Sequence, residues 1–565
     1  MKPPRTLQRS LWIMALVACF GACSEVEVVP RDRNNGEGGN PTTTVTATAS
    51  TSAASTGGSG GSGGEGGAES LCKVPNGQLD APCVGRPGEM PDVNLVQKWS
   101  YAEPLVPSET QTLWMSPPLV ANLTDDNGDG AIDLCDTPDI VVQVEHVLKS
   151  EDTYETQVEL VIVSGADGSV SQRIAVDGMR RTVAAIADLD ADGTPEILMT
   201  KDNGHAIALS PDGTIQWESE VEVFDPSGAT MEDLSDPAVL RYLYNWNSAF
   251  AVFDLEGDGA PEVMYGMTVL DAKGSLRFQD PTQGSEYPPA NLGGSGSVRP
   301  TAADLDGDGV LEVLFGHVTY DASGVELWRV PQIQPGGHAH AADFDGDGAI
   351  EVLITSEEGL ALVSAEGRVL WGPTYMDFGT PPRFWCWQHP AAIADFGLDG
   401  TLEALVNTCD RRMALTIERT GPTILREEPV PIESGFGAPM EGSVAFDLRG
   451  KGPDWFAHHH RNLRIFTNWV HMPLDDVSVH FESGNYGYPV IADVDNDGSA
   501  DVVMIKELET LVVYEDETKQ PSPARRIWNQ WAYAPNAVRE DATVPPSING
   551  PAAIRTQGRL ACDSR

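Results

Sequence analysis

Asp304-Leu305-Asp306-Gly307-Asp308-Gly309-Val310-Leu311-Glu312 decides how this chain is read. Side-chain oxygens stand at positions one, three, five and nine, and a glycine at six allows a sharp turn. This is the ligand plan of the front of a calcium loop: hard oxygens for a hard cation, with a backbone carbonyl expected at seven. The plan recurs at Asp188, Asp190, Asp192 and Glu196; at Asp254, Glu256, Asp258 and Glu262; at Asp343, Asp345, Asp347 and Glu351; and at Asp493, Asp495, Asp497 and Asp501. A further copy, Asp395, Asp399 and Glu403, has Gly397 at position three. A longer one, Asp125, Asn127, Asp129, Asp133 and Asp136, fills a twelve-residue plan, with Asp136 where an EF-hand places Glu; no helical pattern flanks it. At Asp447 a degenerate copy carries Arg449 and Lys451 at ligand positions, where they would repel a cation. That loop is expected to be metal-free.

A single acidic turn of this kind reads equally well as a solvated surface loop. Repetition decides against that reading. The loops begin every 39–66 residues, and each is followed by a short apolar run such as Val313-Leu314-Phe315. Between them a glycine turn recurs with an aromatic four residues on: Gly213 and Trp217, Gly274 and Phe278, Gly324 and Trp328, Gly367 and Trp371. Each repeat therefore reads as strand, calcium loop, strand, strand, tight turn, strand. The aromatic is expected to pack on a neighbouring sheet. The fold class is all-β, a β-propeller of seven or eight four-stranded blades, with eight favoured.

Over residues 95–520 these loops resemble the FG-GAP/VCBS repeats of integrin α-subunit propellers and of many bacterial surface proteins. The resemblance implies several bound calcium ions, up to about seven, and a ligand on the face opposite the loops. Segments entering each first strand should emerge on that face. They carry Tyr242, Tyr244 and Trp246, His338 and His340, Trp385, Trp387 and His389, and Tyr486 and Tyr488. Flat rings beside amides would suit a sugar or a peptide surface. Residues 521–565 are expected to close the ring, with Leu95 to Tyr101 and Ile527 to Tyr533 supplying strands. Arg525 to Tyr533 resembles a C-terminal segment of VCBS-type proteins of gliding soil bacteria, with Trp531 where those have His.

The first 94 residues read as an address and a spacer. Lys2, Arg5 and Arg9 precede an apolar run, Leu11 to Phe20, which is too short to span a bilayer. Phe20-Gly21-Ala22-Cys23 resembles a bacterial lipobox, so residues 1–23 are expected to be a lipoprotein signal, with lipid on Cys23. Residues 24–70 are rich in Ser, Thr and Gly and cannot bury a core, so they are expected to be a disordered tether. Residues 71–94 form a short segment bounded by Cys72 and Cys83. An even set of exported cysteines favours disulfides. Cys72 with Cys83 and Cys386 with Cys409 lie close in sequence, leaving Cys135 with Cys562; sequence alone permits other pairings.

A formal net charge of −48 excludes nucleic acid as a partner and leaves a lipid anchor as the expected membrane contact. No nucleophile elbow, phosphate loop or HExxH pattern is present. The expectation is a lipid-anchored, non-enzymatic binding and adhesion module for glycan or cell-surface and matrix protein, exported to the outer membrane or cell surface of a Gram-negative bacterium. The alternatives are a structural envelope scaffold and a calcium-dependent polysaccharide lyase, for which His338, His340, His389 and Arg383 are the candidate bases.

Overall fold

The structure, a computed structural model, describes residues 94–102, 110–149, 154–177, 182–223, 248–281, 298–333, 337–356, 358–375, 390–408, 411–429, 443–448, 454–459, 462–467, 476–480, 488–506, 510–518, 524–535 and 537–546. These contain no helix. Their strands form eight antiparallel sheets, seven of four strands and one of five. The sheets are numbered here by their loops: Asp125 in sheet one, Asp188 in two, Asp254 in three, Asp304 in four, Asp343 in five, Asp395 in six, Asp447 in seven and Asp493 in eight.

Sheet four shows the common pattern. Thr301–Ala303, Glu312–Leu314, Val318–Tyr320 and Glu326–Arg329 pair in chain order, with the acidic loop between the first two. The first three strands are buried throughout, and the fourth is mostly exposed. Continuous apolar runs such as Val313-Leu314-Phe315 are what strands need when neighbouring sheets cover both faces. Sheet one gains its fifth strand because Asp139–Lys149 is long. One end pairs with Leu119–Ala121 and the other with Thr110–Met115.

The aromatic after each glycine turn fastens one sheet to the next. Trp328, on the outer strand of sheet four, donates from Nε1 to the Ala365 carbonyl of sheet five at 2.9 Å. A Cβ built on Gly367 would fall 2.3 Å from the Trp328 Cβ, so that turn requires glycine for space as well as for its φ of +83°. Trp371 reaches the Glu418 carbonyl of sheet six in the same way, at 2.7 Å. The series also runs from sheet eight to sheet one: Trp99 donates to the Gly165 carbonyl at 2.8 Å and fills the space beside Gly168.

Trp99 lies on Leu95–Ala102, which pairs with Thr510–Asp516 to complete sheet eight. Both ends of the repeat array thus meet in one sheet, as expected for Leu95 to Tyr101. Ile527 to Tyr533 does not join it. The segment instead runs across the innermost strands, whose free edges would otherwise leave backbone groups unpaired. The Asp493 N–H donates to the Arg525 carbonyl in sheet eight at 3.0 Å, and Val120 and Trp528 exchange hydrogen bonds in sheet one at 3.0 and 2.8 Å. The Ile186 N–H of sheet two donates to the Asn529 carbonyl at 2.8 Å. The Val252 N–H of sheet three donates to Gln530 Oε1 at 2.7 Å. Trp528 and Tyr533 stack with centroids 4.5 Å apart, both fully buried.

Candidate metal loops

Six loops share one hydrogen-bonded frame. The first-position Asp accepts the N–H of position five on one oxygen and that of position six on the other. In sheet four these are Asp308 N–H at 3.1 Å and Gly309 N–H at 3.0 Å on Asp304. Asp188, Asp254, Asp343, Asp395 and Asp493 repeat the arrangement. The ninth-position carboxylate begins the second strand and accepts the N–H of position two: Glu196 from Leu189 at 2.9 Å, Glu262 from Leu255 at 2.9 Å, Glu312 from Leu305 at 2.7 Å. Glu351, Glu403 and Asp501 do the same. One oxygen of each is thereby fixed. Position four also adopts a left-handed backbone, at φ 59° in Ala191, 54° in Leu398 and 60° in Asn496, a demand the sequence reading did not anticipate.

This frame gathers charge. Asp188, Asp190 and Glu196 offer three donor oxygens within 4.8 Å of one another, as do Asp304, Asp306 and Asp308; Asp343, Asp345 and Asp347; and Asp493, Asp495 and Asp497. Burial, with help from the neighbouring aspartates, pushes Glu196 and Glu312 up to about 7. Burial likewise raises Asp493 to about 6. An all-oxygen, carboxylate-rich set in a turn of this size fits a hard divalent cation.

Three predicted loops depart from the plan. In sheet three, Arg277 from the outer strand Leu276–Gln279 lies among the ligands, bonded to both Glu256 and Glu262. In sheet six, Gly397 leaves Asp395, Asp399 and Glu403 short of a third-position acid, and among the described residues no three acidic donors converge there. In sheet one, the ninth-position place is taken by Asp139, which was not among the predicted ligands. It is buried, accepts the Leu123 N–H at 3.0 Å and is pushed by burial to about 6. Asp125 to Asp136 is an additional loop inserted before it. Asp136 is fully buried and engages both oxygens with the N–H groups of Asp126, Asn127 and Asp133, so it organises this loop from within. Asp133 accepts the Cys135 N–H, and Asp129 accepts that of Ala131.

Basic groups at two other loops also escaped the sequence reading. Arg419, in the outer turn of sheet six, reaches Asp345 at 2.6 Å, Asp347 at 2.5 Å and Glu351 at 3.0 Å. Lys98 bonds to Asp495 and stands 3.7 Å from Asp501 and 3.4 Å from Glu515. A lone Lys or Arg on an outer strand carries no signal in sequence, because such strands are expected to be charged.

The predicted aromatic face is described in part. Tyr242, Tyr244, Trp246, Trp385, Trp387, His389 and Tyr486 lie outside the described residues, as do Arg383 and residues 449–453 of the degenerate loop. His338, His340 and Tyr488 are described, and all three are buried, which corrects their assignment to an exposed face. His340 Nε2 accepts the Ala391 N–H at 3.2 Å, tying sheet five to sheet six. Tyr488 sits edge-on to Trp531, with centroids 4.5 Å apart. Cys135 is disulfide-bonded; every other cysteine lies outside the described residues.

No protein-family model and no curated protein matches the chain in sequence. Solved structures match its fold. The biofilm matrix protein Bap1 of V. cholerae superposes with a TM-score of 0.54 at 18% identity, covering 82% of this chain and 99% of that one. Rhamnogalacturonan lyase YesW gives 0.49 at 18%, covering 82% and 81%, and the exotype rhamnogalacturonan lyase YesX gives 0.49 at 16%, covering 86% and 84%. At these identities the likeness establishes the fold: an all-β propeller of blade-like sheets. One expectation is corrected. Enzymes stand among the structures this chain is similar to, so the exclusion of an enzyme from its sequence is withdrawn.

Proposed function

We propose that this chain is a calcium-stabilised FG-GAP/VCBS-type propeller that binds glycan or matrix polymer. It is anchored through lipid on Cys23 at the outer membrane or surface of a Gram-negative cell. The observation that carries the metal assignment is the convergence of three carboxylates in each of four loops, two of which have no basic partner among the described residues. Asp188, Asp190 and Glu196, and Asp304, Asp306 and Asp308, would hold the ion, with Glu312 beginning the next strand beside the second set. Bound calcium supplies the positive charge that lets these carboxylates stay close, and so ties the first strand of a sheet to its second. Calcium is favoured over magnesium because one loop offers oxygens at positions one, three, five and nine, more than magnesium, which keeps several waters, usually takes from protein. A matrix-associated role is supported by the biofilm matrix protein of like fold, and the net charge of −48 disfavours anionic partners.

The test incubates the purified full chain, in calcium, with a panel of bacterial and plant polysaccharides. Retention and chain cleavage are scored in the same samples. Retention is the expected result. Cleavage would make the ring a catalyst acting on the polymer it binds. Neither would remove glycan as the ligand class and direct the search to protein partners by cross-linking on intact cells.

A further inference from the structure

Arg277, Arg419 and Lys98 differ from ordinary surface ion pairs in what they touch. Each contacts acids at loop positions three and nine, which face one another across the place a cation would take. Arg277 bonds to Glu256 and Glu262, with a 2.8 Å contact from Nη1 to Glu256 Oε2. Arg419 adds position five and so spans Asp345, Asp347 and Glu351. Lys98 spans Asp495 and Asp501. Two come from the outer strand of the loop's own sheet, each just before the aromatic that packs on the next sheet, and the third comes from the turn of the next sheet. The loops at Asp188 and Asp304 gather their carboxylates as closely, yet no basic side chain among the described residues pairs with them.

We propose that Arg277, Arg419 and Lys98 are built-in counter-ions that compete with calcium, dividing the loops into two classes. The Asp188 and Asp304 loops are open and take calcium tightly. The Asp254, Asp343 and Asp493 loops are internally neutralised and take it only when the basic group is displaced. A guanidinium and a divalent ion cannot share one carboxylate set, because their repulsion at contact range opposes the attraction of each for the acids. Sheet three is the most complete case. There both glutamates bond to Arg277, and no three acidic donors converge among the described residues. Arg419 is the most easily displaced, since it lies on an exposed turn.

This inference rests on the calcium reading above, and one experiment separates the two. The full chain and its Arg277→Gln, Arg419→Gln and Arg277→Lys variants are titrated with calcium chloride by isothermal calorimetry, with circular dichroism checking the fold. The expected result is a tight class of sites in the unsubstituted chain. Each Gln variant should move one further site to at least tenfold higher affinity, and Arg277→Lys should behave like the parent. Gln titrations that superimpose on the parent overturn the inference and leave the calcium reading standing. A parent that binds no calcium overturns both. Should Arg277→Gln fail to fold, Arg419→Gln carries the test alone, because its exposed turn tolerates substitution.

Discussion

The loops of sheets three and four follow the same nine-residue plan, with the same frame of backbone hydrogen bonds, and differ at position three, Glu256 against Asp306, and in one basic neighbour. Sheet four presents Asp304, Asp306 and Asp308 to a common point with no basic partner among the described residues. Sheet three presents Glu256 and Glu262 to Arg277. A motif match reports which oxygens are available. The charge balance that decides whether they need an ion is set by a residue about twenty positions away, on another strand. Gly307 and Gly257 both adopt the left-handed turn, at φ 81° and 69°, so backbone geometry does not separate the two loops.

The largest effect that would break this comparison is chelation. If the two open loops depend on calcium, its removal should lower the melting temperature by roughly 5 °C, since each site filled at about a hundredfold excess over its dissociation constant contributes about 2.7 kcal/mol and a folded chain of this size loses about 1 kcal/mol per degree near its midpoint. An unchanged melt in chelator would show that no loop draws stability from a metal.

A smaller, sharper effect separates the two classes. Asp306→Ala should remove one tightly bound ion and cost about 2–3 kcal/mol in saturating calcium. Glu256→Ala, which removes a half-exposed partner of Arg277, should leave the tight sites intact and cost about 1 kcal/mol or less. Equal losses of bound calcium in the two variants would erase the distinction. The smallest effect is that of salt. In chelator, about 1 M sodium chloride should recover a few degrees of melting temperature, because like charges in the open loops are screened once the Debye length falls to about 3 Å. A further fall in stability would mean that the paired loops, which salt weakens, dominate the chelated state.

Much of the architecture is legible in the residues. The period of the acidic loops, the apolar runs after them and the glycine-to-aromatic spacing each describe one blade, because every sheet solves the same packing problem locally. The seam at Gly367 and Trp328 follows from that spacing, and so does the position-nine carboxylate of six loops. His338 and His340 show where local reading fails. Their segment is expected from sequence to emerge on the face opposite the loops, but whether a strand's end is exposed depends on what the adjoining sheet lays over it, and here both imidazoles are covered.

By itself, then, the sequence determined the strand–loop–strand repeat, the donor atoms of the loops and the strand that completes sheet eight, since all of these depend on neighbours a few residues apart or on a periodic pattern. Tertiary structure alone decided that Arg277, Arg419 and Lys98 enter three loops, that Asp139 replaces Asp133 in the frame of sheet one, and that residues 524–535 cross the inner strands instead of extending a sheet. The physical reason is common to all three. Coulomb attraction and edge pairing act between groups that only folding brings into contact, and no spacing in the chain records which charge or which free strand edge will be waiting there.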